Sequence, residues 1–260
     1  KDDFSKIYLN YGVREHAMVA IANGISTYGI LPIVSTFLVF LSYCYGALRI
    51  SALSKHKVLF IFTHDSIHVG EDGPTHQPIE SLSLLRNLEN VYVFRPADKN
   101  ELIGCYHEAL KYDGPSCMIL SRQSLPMYNF TSIENVKYGG YKVYQSEQET
   151  ECIILATGSE VSLGIEVAKY FKIISVISIP CFEIFNKQKE KYLKKILSNN
   201  KKIFVIGVEA STYDFSDLSD CNYGIYNFGA SGKPNDVLKK INFTKENIIE
   251  MIKEDMSFVD

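Results

Sequence analysis

Residues 57–80 read KVLFIFTHDSIHVGEDGPTHQPIE, and the fold turns on how this stretch divides. After Lys57 comes a run of apolar β-formers, residues 58–62, that stops abruptly at charged residues, imidazoles and glycines. That pattern describes a buried strand delivering a loop at its carboxyl end. In open α/β sheets ligands bind outside that end. The loop, residues 63–80, holds His64, His68 and His76 around Gly70, Glu71, Asp72, Gly73 and Pro74. Glycine and proline set a fixed path, so the polar groups are held rather than free. Backbone capping accounts for any one of these histidines, whereas the cluster as a whole reads as a site.

Upstream, residues 6–10 read as a short strand leading into Gly12-Val-Arg-Glu-His16. A helix is expected over 17–28, with Met18, Ile21, Ala22 and Ile25 on one stripe. Glu15 falls at or just before its start. A first-turn acid stabilised by exposed amides explains it, and so does a catalytic acid at a strand-to-helix turn. Gly29 ends the helix, residues 31–35 form a strand, and a second helix is expected from Thr36 to Ser54. Phe37, Phe40 and Tyr43 lie three apart and share one face of it. Core packing and a flat apolar pocket for a ring both fit that stripe.

Downstream, the pattern predicts a helix over 80–86, a strand over 91–94, a turn with Asp98 as N-cap, an amphipathic helix over 100–112 and a strand over 117–120. Arg122 follows at another strand's carboxyl end, where a guanidinium suits either a surface salt bridge or an anion. Residues 124–150 shift to linker character with one strand. A second α/β unit then begins: strand 152–156, a Thr157-Gly-Ser159 turn with Ser159 as N-cap or Gly158 as part of an anion-binding turn, helix 160–170, strand 173–179, a Lys-rich helix 187–197 and strand 202–208. The fold class is therefore α/β: two three-layer α/β/α domains with mostly parallel sheets. The boundaries fall at 1–130 for the first domain, 131–150 for the linker and 151–260 for the second domain. All six histidines precede residue 108, which assigns acid–base chemistry to the first domain and a scaffold role to the second.

Composition sets outer limits. With 46% apolar and 22% charged residues the chain is globular in character, and a net charge of -3 makes no electrostatic case for nucleic acid. Six cysteines without a CxxC pair argue against a zinc site and fit reduced thiols, hence a cytoplasmic location. The charged start carries no secretory signal, and the absence of an initiator Met points to a fragment. The most apolar run, residues 30–41, is well short of the roughly 20 residues that span a bilayer, so no membrane association is expected.

Specific motifs go further than periodicity. In order and spacing, GVREHAM (12–18), STFLVFLSY (35–43), THDSI (63–67), GEDGPTHQP (70–78), FRPAD (94–98) and SRQ (121–123) resemble transketolase, as do ATGSEV (156–161), PCFEIF (180–185), VEA (208–210) and FGASGK (228–233) in the second domain. The resemblance spans nearly the whole chain. It implies a pyrimidine-binding domain, truncated at its start, and a transketolase C-terminal domain. It also implies reversible transfer of a two-carbon ketol unit from a ketose phosphate to an aldose phosphate, in the pentose phosphate pathway, with thiamine diphosphate as cofactor.

By the same resemblance, Glu15 is the glutamate that hydrogen-bonds the aminopyrimidine of the cofactor, and a carboxyl buried beside a ring has the raised pKa suited to sharing a proton. Phe37, Phe40 and Tyr43 are the aromatic pocket for that ring, Phe40 its principal stacking partner. His64 and Arg122 are substrate contacts near the sugar phosphate, and Asp72 reads a substrate hydroxyl. His76 lies near the reacting carbonyl, as catalytic group and substrate contact. The family is a homodimer whose active sites are shared between chains. Its metal ion, Mg2+ or Ca2+, is held by a diphosphate-binding domain that this chain lacks. No metal ligand is therefore expected here, and the chain alone is expected to be inactive. His68 departs from the usual Gly, with the expectation of a narrowed entrance or a locally altered backbone. Dihydroxyacetone synthase, another thiamine diphosphate enzyme, and a noncatalytic dimerisation or regulatory fragment are the competing readings.

Overall fold

The computed structural model describes residues 7–197, 203–211 and 215–256. The first domain opens with helix α1 (Glu15–Ser26), strand β1 (Ile33–Phe37), a 3₁₀ turn (Leu38–Phe40) and helix α2 (Leu41–Ser54). Strand β2 (Leu59–Thr63) leads through a second 3₁₀ segment (Ile67–Asp72) to α3 (Ser81–Arg86), β3 (Tyr92–Phe94), α4 (Lys99–Lys111) and β4 (Ser116–Leu120). These strands form an all-parallel sheet ordered β1-β2-β4-β3. One face carries Phe60, Phe62, Val93, Cys117 and Ile119 against Leu41, Cys44 and Leu48 of α2 and Leu82 and Leu85 of α3. The other carries Leu59, Phe94 and Met118 toward Cys105 and Ala109 of α4.

The second domain has strands β5 (Tyr141–Tyr144), β6 (Cys152–Ala156), β7 (Ile174–Ser178), β8 (Phe204–Val208) and β9 (Cys221–Tyr223) in the order β5-β7-β6-β8-β9. Only β5 is antiparallel. Helices α5 (Glu160–Phe171), α6 (Phe182–Phe185), α7 (Glu190–Leu197), α8 (Pro234–Lys240) and α9 (Lys245–Met256) cover it. β6 and β7 are buried along their whole length, as expected of parallel strands covered on both faces. Both domains are three-layered, yet they share one apolar core running from Leu59, Phe94 and Met118 to Ile154, Val176 and Ile206.

Several expected elements shift. Lys6 lies outside the described residues, and residues 7–10 form no strand: Ile7, Tyr8 and Leu9 are exposed, with no neighbouring strand among the described residues to take their amides. The helix expected from Thr36 begins only at Leu41, because Phe37 pairs with Thr63 in the sheet. The α1 stripe is set by Val19, Ala22 and Asn23, leaving Ile21 exposed. Asp98 does cap α4, accepting from the Glu101 amide at 3.0 Å, whereas Ser159 caps nothing and donates instead to its neighbour Glu160 at 2.8 Å. Within residues 131–150, β5 is hydrogen-bonded into the second sheet. Helices α6, α8 and α9 and strand β9 come in addition to the expected elements. For α9, the spacing of Ile248, Ile249 and Ile252, its buried face, was the available signal.

Candidate functional site

Three elements of the first sheet end at one place: β1 runs into the Phe37–Tyr43 turn, β2 into the histidine loop, and β4 into Arg122. The rings meet there. Phe37 and Phe40 stack with centroids 5.8 Å apart and planes within 9°, and Tyr43 continues the row 5.8 Å from Phe40. The trio thus forms one wall although its members sit on a strand, a 3₁₀ turn and a helix rather than on one helical face. His64 stacks on Phe37 at 3.8 Å, and His76 meets Phe40 edge-on at 5.6 Å.

The charges follow the rings. Partial burial holds the His64 imidazole below its usual range, Arg122 adds to that, and Asp72 and Asp65 oppose it. Asp72 and Arg122 are therefore within electrostatic reach of the ring. Both are exposed, open to a ligand. His64 shares a proton with Thr63 Oγ1 across 3.0 Å and His76 with Thr75 Oγ1 across 2.9 Å, both through Nδ1, leaving each Nε2 for another partner. Glu15 is the first residue of α1. Its charge acts on Cys44, next to Tyr43, whose thiol burial and Glu15 together push up to about 12. Asn23 of α1, donating to Ala47 O at 2.9 Å and accepting from Ser51 Oγ, ties α1 to α2 and so fixes that placement.

His68 does not take a left-handed backbone. It lines a separate cavity of about 410 Å³ between the domains, with Ser159, Glu166, Lys239 and Phe243. Among the described residues no group of three or more His, Cys, Asp or Glu could hold a metal.

A part absent from the sequence reading is a buried ionic cluster between the domains. Arg95, 1% exposed, donates from Nε and Nη2 to Asp65 at 3.0 and 2.8 Å. Its Nη1 donates to Thr157 O and Oγ1, and pairs with Glu160 and with Glu209 at 3.5 Å. Arg86 holds Glu209 in a two-pronged contact at 2.6 and 3.0 Å. Gly158, at φ +52, sits so close that a Cβ there would come within 2.9 Å of the Arg95 side chain. The Thr157-Gly-Ser turn thus receives a cation from the first domain, in the crevice beyond β6 and β8 where an open sheet otherwise binds ligand. The second domain also grips the histidine loop: Gln77 Nε2 donates to Ala230 O at 3.0 Å and Ser231 Oγ to Glu71 O at 2.6 Å.

A parallel sheet brings an aromatic wall and two imidazoles together at its loop end, with an acid on the adjoining helix and a second α/β domain behind, which defines a two-domain α/β protein with a ring-lined candidate pocket. Residues 1–127 match the model of the transketolase pyrimidine-binding domain, and residues 139–244 that of the transketolase-like C-terminal domain. The chain belongs to the transketolase family. It is 45% identical to transketolase 1 of Saccharomyces cerevisiae over 98% of its own length and 38% of that protein's. It is 40% identical to transketolase of Buchnera aphidicola from Acyrthosiphon pisum, over 95% of its length and 39% of the relative's. A crystal structure of Pichia stipitis transketolase in complex with sedoheptulose-7-phosphate superposes with a TM-score of 0.91 at 40% identity, covering 96% of this chain and 38% of that one. A split-gene transketolase, solved as an inactive β4 tetramer, shares the fold at 22% identity and TM-score 0.81, over 97% of this chain and 85% of that one. The chain thus spans about two-fifths of the length of the full-length relatives.

Proposed function

We propose that this chain supplies the pyrimidine-side and substrate-side half of a transketolase active site, acting on sugar phosphates once joined to a diphosphate-binding half. The observation that carries the reading is the convergence of Phe37, Phe40, His64, His76, Asp72 and Arg122 on one loop end of the sheet. The parallel faces of Phe37 and Phe40 fit a flat heteroaromatic ring, and Glu15 lies one helix away. Thiamine diphosphate, bound there, supplies the carbon nucleophile and electron sink of ketol transfer.

The remaining steps belong to this chain's residues. Glu15 donates a hydrogen bond to the ring nitrogen of the pyrimidine and holds the proton there. Phe37, Phe40 and Tyr43 exclude water and fix the ring plane. The sugar phosphate's anionic end is drawn to Arg122, whose planar fork matches phosphate oxygens. His64, kept neutral by burial and by Arg122, has Nε2 free to hydrogen-bond a substrate hydroxyl. Asp72 accepts from a further hydroxyl, and His76 moves a proton at the carbonyl oxygen.

Magnesium would be held outside residues 1–260, by the diphosphate-binding half. Apolar side chains left exposed on and around α1, β1 and α2, among them Val13, Tyr28, Ile33 and Leu53, support docking of that half and a second copy of the enzyme. Free and mostly buried cysteines support a reducing, cytoplasmic setting. The test is a coupled assay with thiamine diphosphate and magnesium. The chain completed by a diphosphate-binding half is expected to transfer ketol units between sugar phosphates, the chain alone is not, and Glu15→Gln should cut turnover by about 10²-fold or more. Full turnover in Glu15→Gln would overturn the assignment.

A further inference from the structure

We propose that the Arg95–Asp65 ion pair is the positioning device for His64 and that Thr157, Glu160 and Glu209 of the second domain hold that device in place. The second domain then helps present the imidazole as well as completing the core. The proposal rests on the reading of His64 as a substrate contact.

His64 has φ +63, in the left-handed region that non-glycine residues adopt only when their surroundings impose it. Its neighbours do impose it. Thr63 is the last residue of β2, fixed between Phe37 of β1 and Leu120 of β4. Asp65 is 2% exposed. Its Oδ2 takes both Arg95 hydrogen bonds, and its Oδ1 has no partner among the described residues. The grip on the carboxylate therefore runs through Arg95. With both flanks fixed, the His64 ring is delivered onto Phe37 at 3.8 Å. Relaxation to an ordinary φ would swing it off that face.

Arg95 is in turn clamped by the second domain. Its amide donates to Pro180 O at 2.9 Å, and its carbonyl accepts from the Gly158 amide at 3.1 Å. Its guanidinium is shared with Thr157, Glu160 and Glu209. A guanidinium serves here because its rigid fork can face carboxylates of two domains at once, which an ammonium cannot do. A role confined to gluing the domains would leave the His64 backbone indifferent to the far side of the cluster. The positioning role makes it depend on residues 93 to 145 positions away in sequence.

The test uses the chain itself. The side-chain resonances of His64 should carry an upfield ring-current shift from Phe37, stacked at 3.8 Å, and amide exchange of residues 64–66 reports their backbone. Arg95→Met strands buried carboxylates and is expected not to fold, so the variants are Asp65→Asn and Glu160→Gln, with Glu101→Gln as a control at a buried carboxylate that does not pair with Arg95 but accepts from the Ala97 amide at 2.7 Å. Asp65→Asn and Glu160→Gln are expected to lose the ring-current shift and to speed exchange at 64–66 by about tenfold or more, while β6 and β7 stay protected. Retention of the shift and of slow exchange in both variants would overturn the proposal. So would a uniform loss over the whole chain matching that of Glu101→Gln. In the completed enzyme the same variants should raise KM for the sugar phosphate more than they lower kcat. If completed wild-type protein lacked ketol transfer, the reading of function would fall, while the resonance comparison would still decide the positioning of His64.

Discussion

The imidazole of His64 lies over the ring of Phe37, 3.8 Å between centroids and 26° between planes. A neutral imidazole tolerates that face and the nearby Arg122, and both burial and Arg122 disfavour its proton. His64 should therefore titrate below the ordinary value of about 6.5. Between that lower midpoint and about 6.5 the unfolded chain binds the extra proton, so this group's contribution to stability falls as the pH drops through that window. Phe37→Ala and Arg122→Ala should each raise the midpoint, and Asp72→Asn should lower it further. An NMR titration of the imidazole reads all three signs.

Acid should loosen the domain interface through Glu209. Burial works to raise its pKa, but Arg86 and Arg95 outweigh burial and hold it down to about 2. A depressed carboxylate contributes stability that is fully present above its unfolded pKa of about 4.3 and is lost as the pH falls toward 2. Glu209→Gln strands part of two guanidinium partners and should cost about 3–5 kcal/mol at neutral pH. Urea unfolding at a series of pH values should show the gap between wild type and Glu209→Gln closing between about pH 4 and pH 2.

These two centres differ in how far the sequence revealed them. Asp98 announced its helix because a cap acts on amides three residues away. Phe37, Phe40 and Tyr43 were legible as a set from spacing and from the STFLVFLSY motif. The one helical face expected for them does not form, since pairing of Phe37 with Thr63 holds it in a strand and no local propensity reports that pairing. His64, Asp72, His76 and Arg122 were legible as polar groups at the carboxyl ends of strands, and their separate roles came only through the resemblance. Arg95, within FRPAD, carries only the local signature of a turn. Its partners lie 30, 62, 65 and 114 residues away, and nothing in the pattern of one strand end indicates that a distant domain will neutralise it.

Phe40 touches both flanks of the wall, Phe37 and Tyr43, and meets His76 edge-on. If it stacks the pyrimidine, Phe40→Ala removes one aromatic contact worth about 0.5–1.5 kcal/mol beyond its buried area. The completed enzyme should then bind thiamine diphosphate several-fold to tenfold more weakly, with KM for the sugar phosphate little changed. Cofactor titration by fluorescence quenching measures the first effect and steady-state kinetics the second.

Gly139 joins the interdomain segment to β5 at φ +75. An added Cβ would come within 2.6 Å of Cys181 O, and the Gly139 carbonyl accepts from the Cys181 amide at 3.0 Å. Both the backbone conformation and the contact therefore exclude a side chain. Gly139→Ala should cost about 2–4 kcal/mol. Its effect should appear in thermal unfolding of the chain, with the His64 titration unchanged in the fraction that stays folded.

Gln77 closes the histidine loop from inside. It is 2% exposed, and its Nε2 donates to Ile67 O at 3.4 Å, Gly70 O at 3.3 Å and Ala230 O at 3.0 Å. One side-chain amide thus ties both turns of the loop to the FGASGK segment of the second domain. Gln77→Leu keeps the volume but removes the bonds to all three carbonyls, leaving Gly70 O the one from the Gly73 amide at 3.0 Å, at a cost of about 1–3 kcal/mol. Ser231→Ala removes only the bond to Glu71 O and should cost about 0.5–1.5 kcal/mol. The two bonds hold neighbouring parts of one loop, so their losses should not add, and a double-mutant cycle in urea should return a coupling energy of about 0.5 kcal/mol or more. Asp72 and His76 ride on this loop, so on the proposed reading Gln77→Leu should also raise KM for the sugar phosphate in the completed enzyme while leaving cofactor affinity, assigned there to Phe37, Phe40 and Tyr43, near its original value.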